Sequence, residues 1–212
     1  MKLLLASAGI TNQSIADTLV GLVGKSAKES KIGFVSTAVN VQEGNKDWYI
    51  TQLTNLQKYG FSWIDMIDIS VPGVDWKDRL ASVDVIVVSG GNTFYLLDQV
   101  RKTKFDEWLK GVLNEKVYVG ISAGSILMTP TIAVSSVEPG DKNTPELTDV
   151  SGLGYVDFEV SPHVPDYISY ESVEEYVAKT KKPLYAIDDQ TAIKVVDGKI
   201  DVVSEGKWNK YN

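Results

Sequence analysis

The sequence predicts an α/β fold with a mostly parallel sheet and helices on both of its faces. Two observations support this prediction. Short apolar runs alternate along the chain with stretches of helical spacing, and two of those runs are continuously apolar. Alternation of strands with helices is typical of parallel sheets. A continuous apolar run, such as residues 84–89 (DVIVVS), is typical of a strand buried on both faces.

The first two thirds of the chain contain five predicted strands and the helices between them. Apolar residues at helical spacing define the helices, and glycine or polar residues end or cap them. The predicted strands are residues 3–8, 31–38, 63–69, 84–89 and 116–121. The predicted helices run from a cap at Thr11 or Asn12 through Leu22, over residues 45–59, over 75–81, over 93–110 with a break near Lys102, and from 123 to 128.

The last third of the chain has a different pattern. Residues 135–154 are rich in Gly, Pro, Asp and Thr, which predicts a long loop, and residues 169–179 predict a helix. Short strands are predicted at residues 184–188, 191–196 and 199–203, and an Asp-Gly pair at 197–198 is a strong hairpin signal. We therefore expect an antiparallel edge that closes the sheet, in a single domain over residues 1–212.

Composition excludes several kinds of chemistry. The chain has no cysteine and one histidine, so disulfides, thiolate metal sites, a cysteine nucleophile and a His-rich metal site are ruled out. A net charge of -7 and only two arginines argue against a nucleic-acid partner. No apolar run is long enough for a membrane span, so we expect a cytoplasmic protein.

The sharpest local feature is Ser122 within residues 120–124 (GISAG). This segment matches G-x-S-x-G, and it lies between an apolar strand and a helix. A tight turn at that place holds the serine in a strained backbone and exposes its hydroxyl, and small neighbours are needed because the chain crowds itself. The pattern predicts a nucleophile, whereas a chance match would be only a helix start rich in small residues.

A glycine pair, Gly90-Gly91, follows the apolar strand before it and precedes Asn92 and Thr93. Glycines let the backbone approach a ligand closely, and ligands of parallel sheets gather at the carboxyl ends of the strands. This loop and Ser122 should therefore lie at the same edge. The Gly91 N–H is a candidate oxyanion donor, together with the Ala123 N–H. The other interpretation is a phosphate-binding or merely structural turn.

The imidazole base can only be His163, which lies between two prolines in residues 161–165 (SPHVP). An acid should orient its ring. Asp188 and Asp189, after a predicted strand, are candidates, and Glu138 and Asp141 in the long loop are rivals.

Together these segments resemble peptidase family S51, which includes dipeptidase E and the more distant cyanophycinases. The resembling residues are 89–94 (SGGNTF) with Leu96-Leu97, 120–125 (GISAGS), 130–132 (PTI) and 162–163 (PH). The chain order of serine, histidine and acid argues against an α/β-hydrolase, in which the acid precedes the histidine. The resemblance implies a three-layer α/β/α sandwich similar to class I glutamine amidotransferases, with serine in place of their cysteine.

The resemblance also implies roles for individual residues. Ser122 is the nucleophile and His163 the general base, and the acidic member, a Glu in dipeptidase E, falls on Asp189. Asp188 stays open as an alternative, because an Asp side chain is one methylene shorter than the Glu of dipeptidase E. Glu138 stays open because a second acid in the family's loop falls beside it. Gly90, Asn92 and Thr93 are expected to contact substrate.

The substrate implied by the resemblance is a short peptide, and the chemistry requires no metal or cofactor. Dipeptidase E selects an N-terminal aspartate, for which arginine is the natural clamp. The positions that carry arginine in the family hold Ala133 and the Arg-free residues 164–182 here. We therefore expect that strict aspartyl specificity is absent or depends on lysine. The alternative function is a non-catalytic amino-acid or anion-binding protein on the same fold, and the exposed sheet edges permit a homodimer.

Overall fold

The computed structural model describes all 212 residues and contains ten strands. They are β1 Lys2–Ala6, β2 Lys31–Val35, β3 Trp63–Ile67, β4 Val85–Val88, β5 Val117–Ile121, β6 Glu159–Ser161, β7 Leu184–Ile187, β8 Thr191–Val196, β9 Lys199–Ser204 and β10 Trp208–Tyr211. Seven of them form the main sheet, in the order β3-β2-β4-β5-β1-β8-β9. Its first five strands are parallel, whereas β8 and β9 are antiparallel to their neighbours. The mostly parallel sheet with an antiparallel edge is confirmed.

Seven α-helices connect and cover the strands. They are α1 Gln13–Val23, α2 Asp47–Lys58, α3 Trp76–Ala81, α4 Thr93–Thr103, α5 Phe105–Val112, α6 Ala123–Ile126 and α7 Tyr170–Thr180. Asn12 caps α1 by accepting a hydrogen bond from the Ile15 N–H at 3.0 Å. The predicted break in the long helical stretch occurs at Lys104, whose left-handed φ of 59° separates α4 from α5. No helix is long and apolar enough to cross a membrane.

The central strands of the main sheet are buried on both faces, as the continuous apolar runs predict. Along β1 the side chains alternate: Leu3 and Leu5 pack into the core on one face, and Leu4 and Ala6 pack into the core on the other. Helices α1 and α2 cover the face that receives Leu4, and α3, α4 and α5 cover the face that receives Leu3. The result is a three-layer α/β/α sandwich.

One expectation about the sheet is wrong. Residues 184–188 were expected to join the antiparallel edge of the main sheet, but β7 lies in a separate three-stranded sheet of order β10-β7-β6. Strand β7 pairs in parallel with β6 and antiparallel with β10, a strand that the apolar pattern does not reveal. A short apolar run indicates that a strand is buried but not which strand will bind beside it. The separate sheet determines where two of the candidate site residues lie.

Candidate active site

Ser122 lies at a sharp turn between β5 and α6. Its backbone has φ 49° and ψ -108°, a strained conformation for a residue with a side chain. Its N–H donates to the Ala6 carbonyl oxygen at 3.0 Å, which ties the turn to the end of β1. Any side chain at Gly124 would overlap the Val88 carbonyl, and one at Gly120 would overlap the Gly124 carbonyl. The small residues around Ser122 are therefore required by close backbone packing.

The glycine loop lies beside this turn. A Cβ atom at Gly90 would be 3.2 Å from the Cβ atom of Ser122, so the two loops are in close contact. Gly91 has φ 133°, and a side chain there would overlap the Ala38 carbonyl. The Gly91 N–H donates no hydrogen bond within the chain. Ala123 is the first residue of α6, where an N–H has no intrahelical acceptor.

Asn92 and Thr93 do not line the cavity that contains Gly90, Gly91 and Ser122. The Asn92 side chain caps α4, accepting from the Tyr95 N–H at 2.8 Å, and it donates to the Lys142 carbonyl oxygen at 2.9 Å. Thr93 donates its N–H and its hydroxyl to Asp141, at 2.8 and 2.7 Å. Both residues thus fix the loop and α4 rather than facing the open space.

His163 and Asp189 are brought together by the second sheet. Strands β6 and β7 are parallel neighbours, and each residue follows the carboxyl end of one of them. The His163 Nδ1 lies 2.6 Å from the Asp189 Oδ1, a hydrogen bond that leaves Nε2 as the ring nitrogen without a partner in the chain. This is the arrangement that orients an imidazole in a serine-hydrolase triad.

Ser7, at the end of β1, joins this pair. Its hydroxyl donates to the Asp189 Oδ1 at 2.7 Å and accepts from the His163 N–H at 2.8 Å. Burial acts to raise the pKa of Asp189, but hydrogen bonds from His163 and Ser7 and the charge of the imidazole outweigh it, so the pKa lies below its usual value. The carboxylate is therefore held in its ionised form beside the ring.

The rival acids lie elsewhere or have other partners. Asp188 accepts from the Gln190 N–H at 3.0 Å and from the Thr191 hydroxyl at 2.6 Å, which closes the turn between β7 and β8. Glu138 is exposed and lines a second, smaller cavity. Asp141 lies in the same cavity as His163 but is hydrogen-bonded to Thr93. Asp189 is the acid that contacts the imidazole.

Ser122, His163 and Asp189 all line one cavity of about 700 Å³. The hydrogen bonds of the His163 ring join it to Ser7 and Asp189, and none joins it to the Ser122 Oγ. The lining contains three aspartates and neither lysine nor arginine. Arg79 is paired with Asp65 and Arg101 with Asp149, both away from the cavity. The sixteen lining residues are Ala8, Thr11, Gln42, Trp48, Thr51, Gln52, Asn55, Gly90, Gly91, Ser122, Asp141, His163, Asp166, Tyr167, Asp189 and Gln190.

Comparison with known proteins settles the family. The sequence model of peptidase family S51 matches residues 3–203, nearly the whole chain. The chain belongs to peptidase family S51. The resemblance drawn from the sequence motifs is thereby confirmed, and this S51 protein is a serine-type peptidase similar to peptidase E.

Individual relatives agree with this assignment. An uncharacterized peptidase of Pasteurella multocida (strain Pm70), PM1590, is 31% identical over 198 residues, covering 92% of this chain and 93% of the relative. A peptidase E of Nostoc sp. is 33% identical over 106 residues, which are 50% of this chain and 40% of that protein. A crystal structure of a protein from Listeria monocytogenes EGD-e superposes with a TM-score of 0.82 at 24% identity, covering 97% and 98% of the two chains, and shows the same fold.

Sequence reasoning missed Ser7, Gln52 and Asp166. The available signal for Ser7 was its position near the carboxyl end of the first predicted strand, at the same sheet edge as Ser122. Gln52 lies within α2, where its helical spacing gave no indication that it would face a cavity. Asp141 was named as a rival acid, whereas Asp166 was not, because its place in the cavity lining depends on how its loop folds.

Proposed function

We propose that this S51 peptidase hydrolyses short peptides by acyl transfer through Ser122, His163 and Asp189. The observation that supports this most directly is the 2.6 Å hydrogen bond between His163 and Asp189 in the cavity that also contains the strained Ser122. The cavity volume falls within the range of about 300–1,000 Å³ that is usual for small-molecule sites. A short peptide is therefore a suitable substrate.

In the first step, the Nε2 of His163 takes the proton of the Ser122 hydroxyl as the oxygen attacks the peptide carbonyl carbon. Asp189 holds the ring through Nδ1 and stabilises the imidazolium that forms. The carbonyl oxygen becomes an oxyanion, for which the Gly91 and Ala123 N–H groups are the donors. Neither group must break a hydrogen bond within the molecule to serve in this way.

In the second step, the imidazolium gives its proton to the leaving amine, and the C–N bond breaks to leave an ester on Ser122. His163 then takes a proton from water, whose oxygen attacks the ester carbonyl. Collapse of the second tetrahedral intermediate returns the proton to Ser122 and releases the acid. The strained Ser122 backbone favours a catalytic serine, since strain of this kind, of order 1–3 kcal/mol, persists where function requires it.

The test is a dipeptide-library hydrolysis screen with wild-type protein, Ser122→Ala and Ser136→Ala. Ser136 is an exposed serine outside the cavity, so its replacement controls for the loss of a hydroxyl. We expect hydrolysis by wild type and Ser136→Ala and a loss of roughly 10⁴–10⁶-fold in kcat for Ser122→Ala. Unchanged hydrolysis by Ser122→Ala would refute the mechanism. Binding of peptides without any hydrolysis by wild type would favour the non-catalytic alternative.

A further inference from the structure

The cavity has an unbalanced charge. Asp141, Asp166 and Asp189 contribute carboxylates, and no lysine or arginine faces them. Asp189 is paired with His163, so its charge already has a partner. Neither Asp141 nor Asp166 forms a salt bridge within the chain. A ligand that brings a positive charge is therefore the natural complement of this site.

Asp141 is the more enclosed of these two acids. Its Oδ2 atom accepts hydrogen bonds from both the N–H and the hydroxyl of Thr93, which fix the carboxylate at the start of α4. Burial nevertheless raises the pKa of Asp141, despite the opposing effects of Thr93, Gln42 and the nearby His163 charge. The ionised carboxylate thus remains short of favourable contacts, which a bound cation would supply.

Gln52 provides an independent indication of a ligand. Its side chain lines the cavity, and the residue is only 5% exposed. Its Oε1 is buried and accepts no hydrogen bond within the chain. Its Nε2 lies next to the glycine loop, 3.3 Å from the position of a Cβ atom at Gly90. A buried acceptor without a donor is unfavourable, and a donor delivered by a ligand would relieve it.

We propose that Asp141 and Gln52 bind the free α-ammonium group of the substrate. An ammonium has three N–H donors, enough to serve the Asp141 carboxylate and the Gln52 carbonyl oxygen together. The substrate class is then short peptides with an unblocked N-terminus and a neutral or basic first residue. An acidic first residue places a further carboxylate among unpaired acids with no cation to receive it. This inference rests on the proposed peptidase function of the same site.

The first test compares kcat/KM of wild type for Ala-Leu, Lys-Leu, Asp-Leu and N-acetyl-Ala-Leu. We expect Ala-Leu and Lys-Leu to exceed both Asp-Leu and the acetylated peptide by at least about 100-fold. Asp141→Asn should raise KM for Ala-Leu about tenfold or more, with a smaller effect on kcat, and Gln52→Leu should act in the same direction. Glu138→Gln removes an acid from the same loop but outside the cavity, so it should change neither value by more than about twofold.

A second measurement separates this inference from the peptidase mechanism. Calorimetry with Ser122→Ala measures binding of Ala-Leu and N-acetyl-Ala-Leu without cleavage. If wild type cleaves no peptide but Ser122→Ala binds only Ala-Leu, the ammonium site stands and the hydrolytic function fails. If wild type cleaves the acetylated peptide as well as Ala-Leu, the function stands and the ammonium site is refuted. If it cleaves Asp-Leu as well as Ala-Leu, the proposed preference for a neutral or basic first residue is refuted. Absence of both cleavage and selective binding would refute the ammonium site as well.

Discussion

Replacing Ser7 with alanine should disturb both stability and catalysis, because its hydroxyl connects two site residues. Ser7 is fully buried, donates to the Asp189 carboxylate at 2.7 Å and accepts from the His163 N–H at 2.8 Å. A hydrogen bond to a charged group contributes about 1.5–3 kcal/mol, and an unpaired buried donor costs about 1–3 kcal/mol. We expect a net loss of about 2–3 kcal/mol in the free energy of unfolding.

That loss corresponds to a lower Tm by about 2–4 °C per kcal/mol for a chain of this size. The catalytic effect follows from the positive φ of His163, 62°, which the Ser7 hydroxyl helps to hold through the His163 N–H. Looser positioning of the ring should lower kcat about tenfold, which is about 1.4 kcal/mol of transition-state stabilisation. KM should change less, because Ser7 does not line the cavity.

The dependence of the free energy of unfolding on pH at acidic pH separates the two effects of Ser7→Ala, because loss of packing alone would not change that dependence. The pKa of Asp189 is lowered in the folded state, so its contribution to stability is complete above the unfolded value and is lost as pH falls through the folded value. Removing the Ser7 donor raises the folded pKa toward the unfolded value. The contribution of Asp189 therefore becomes smaller, and as pH falls its loss is complete at a higher pH in Ser7→Ala than in wild type.

Ser125→Ala is the matched control for this experiment. Ser125 is also a fully buried serine, and its hydroxyl donates to the Ala6 carbonyl oxygen at 2.8 Å without touching the imidazole or its acid. The Ala6 oxygen keeps the Ser122 N–H as a donor, so no acceptor is stranded. The reasoning is refuted if Ser7→Ala matches Ser125→Ala in Tm and kcat and in the pH dependence of unfolding.

Three further outcomes are expected. Asp189→Asn should lower kcat by about 10⁴-fold, as in other serine triads, because the ring loses its orienting carboxylate. Asp188→Asn should lower Tm and leave kcat near wild type, since Asp188 closes the β7–β8 turn. A large loss of kcat in Asp188→Asn together with a small loss in Asp189→Asn would instead assign the orienting carboxylate to Asp188. Asp141→Asn should raise Tm at pH 7, because burial raises the pKa of Asp141 and penalises its ionised form. The difference in Tm between Asp141→Asn and wild type should shrink as pH falls through the range in which carboxyl groups titrate. A Tm of Asp141→Asn below that of wild type at pH 7 would contradict this prediction.

Much of the fold follows from local patterns in the chain. The continuous apolar run that became β4 and the alternation of strands with helices predicted a parallel sheet covered on both faces, because those patterns reflect burial directly. The helix cap at Asn12 and the hairpin at Asp197-Gly198 could be predicted from the sequence, because each depends on a few neighbouring residues. The second sheet could not be predicted in this way, since the strands that pair with β7 come from segments that are distant in the chain.

The sequence by itself limited the chemistry available to this peptidase: without cysteine there is no cysteine nucleophile, and with one histidine His163 is the only possible imidazole base. The turn around Ser122 was also predictable, because Gly120 is required by its close approach to the Gly124 carbonyl within the same short segment. Only the tertiary structure shows that Asp189, and not Asp188, contacts His163, since these neighbouring residues at the end of β7 face different partners. It also added Ser7 and collected the acids of the cavity, because these contacts join segments far apart in the chain.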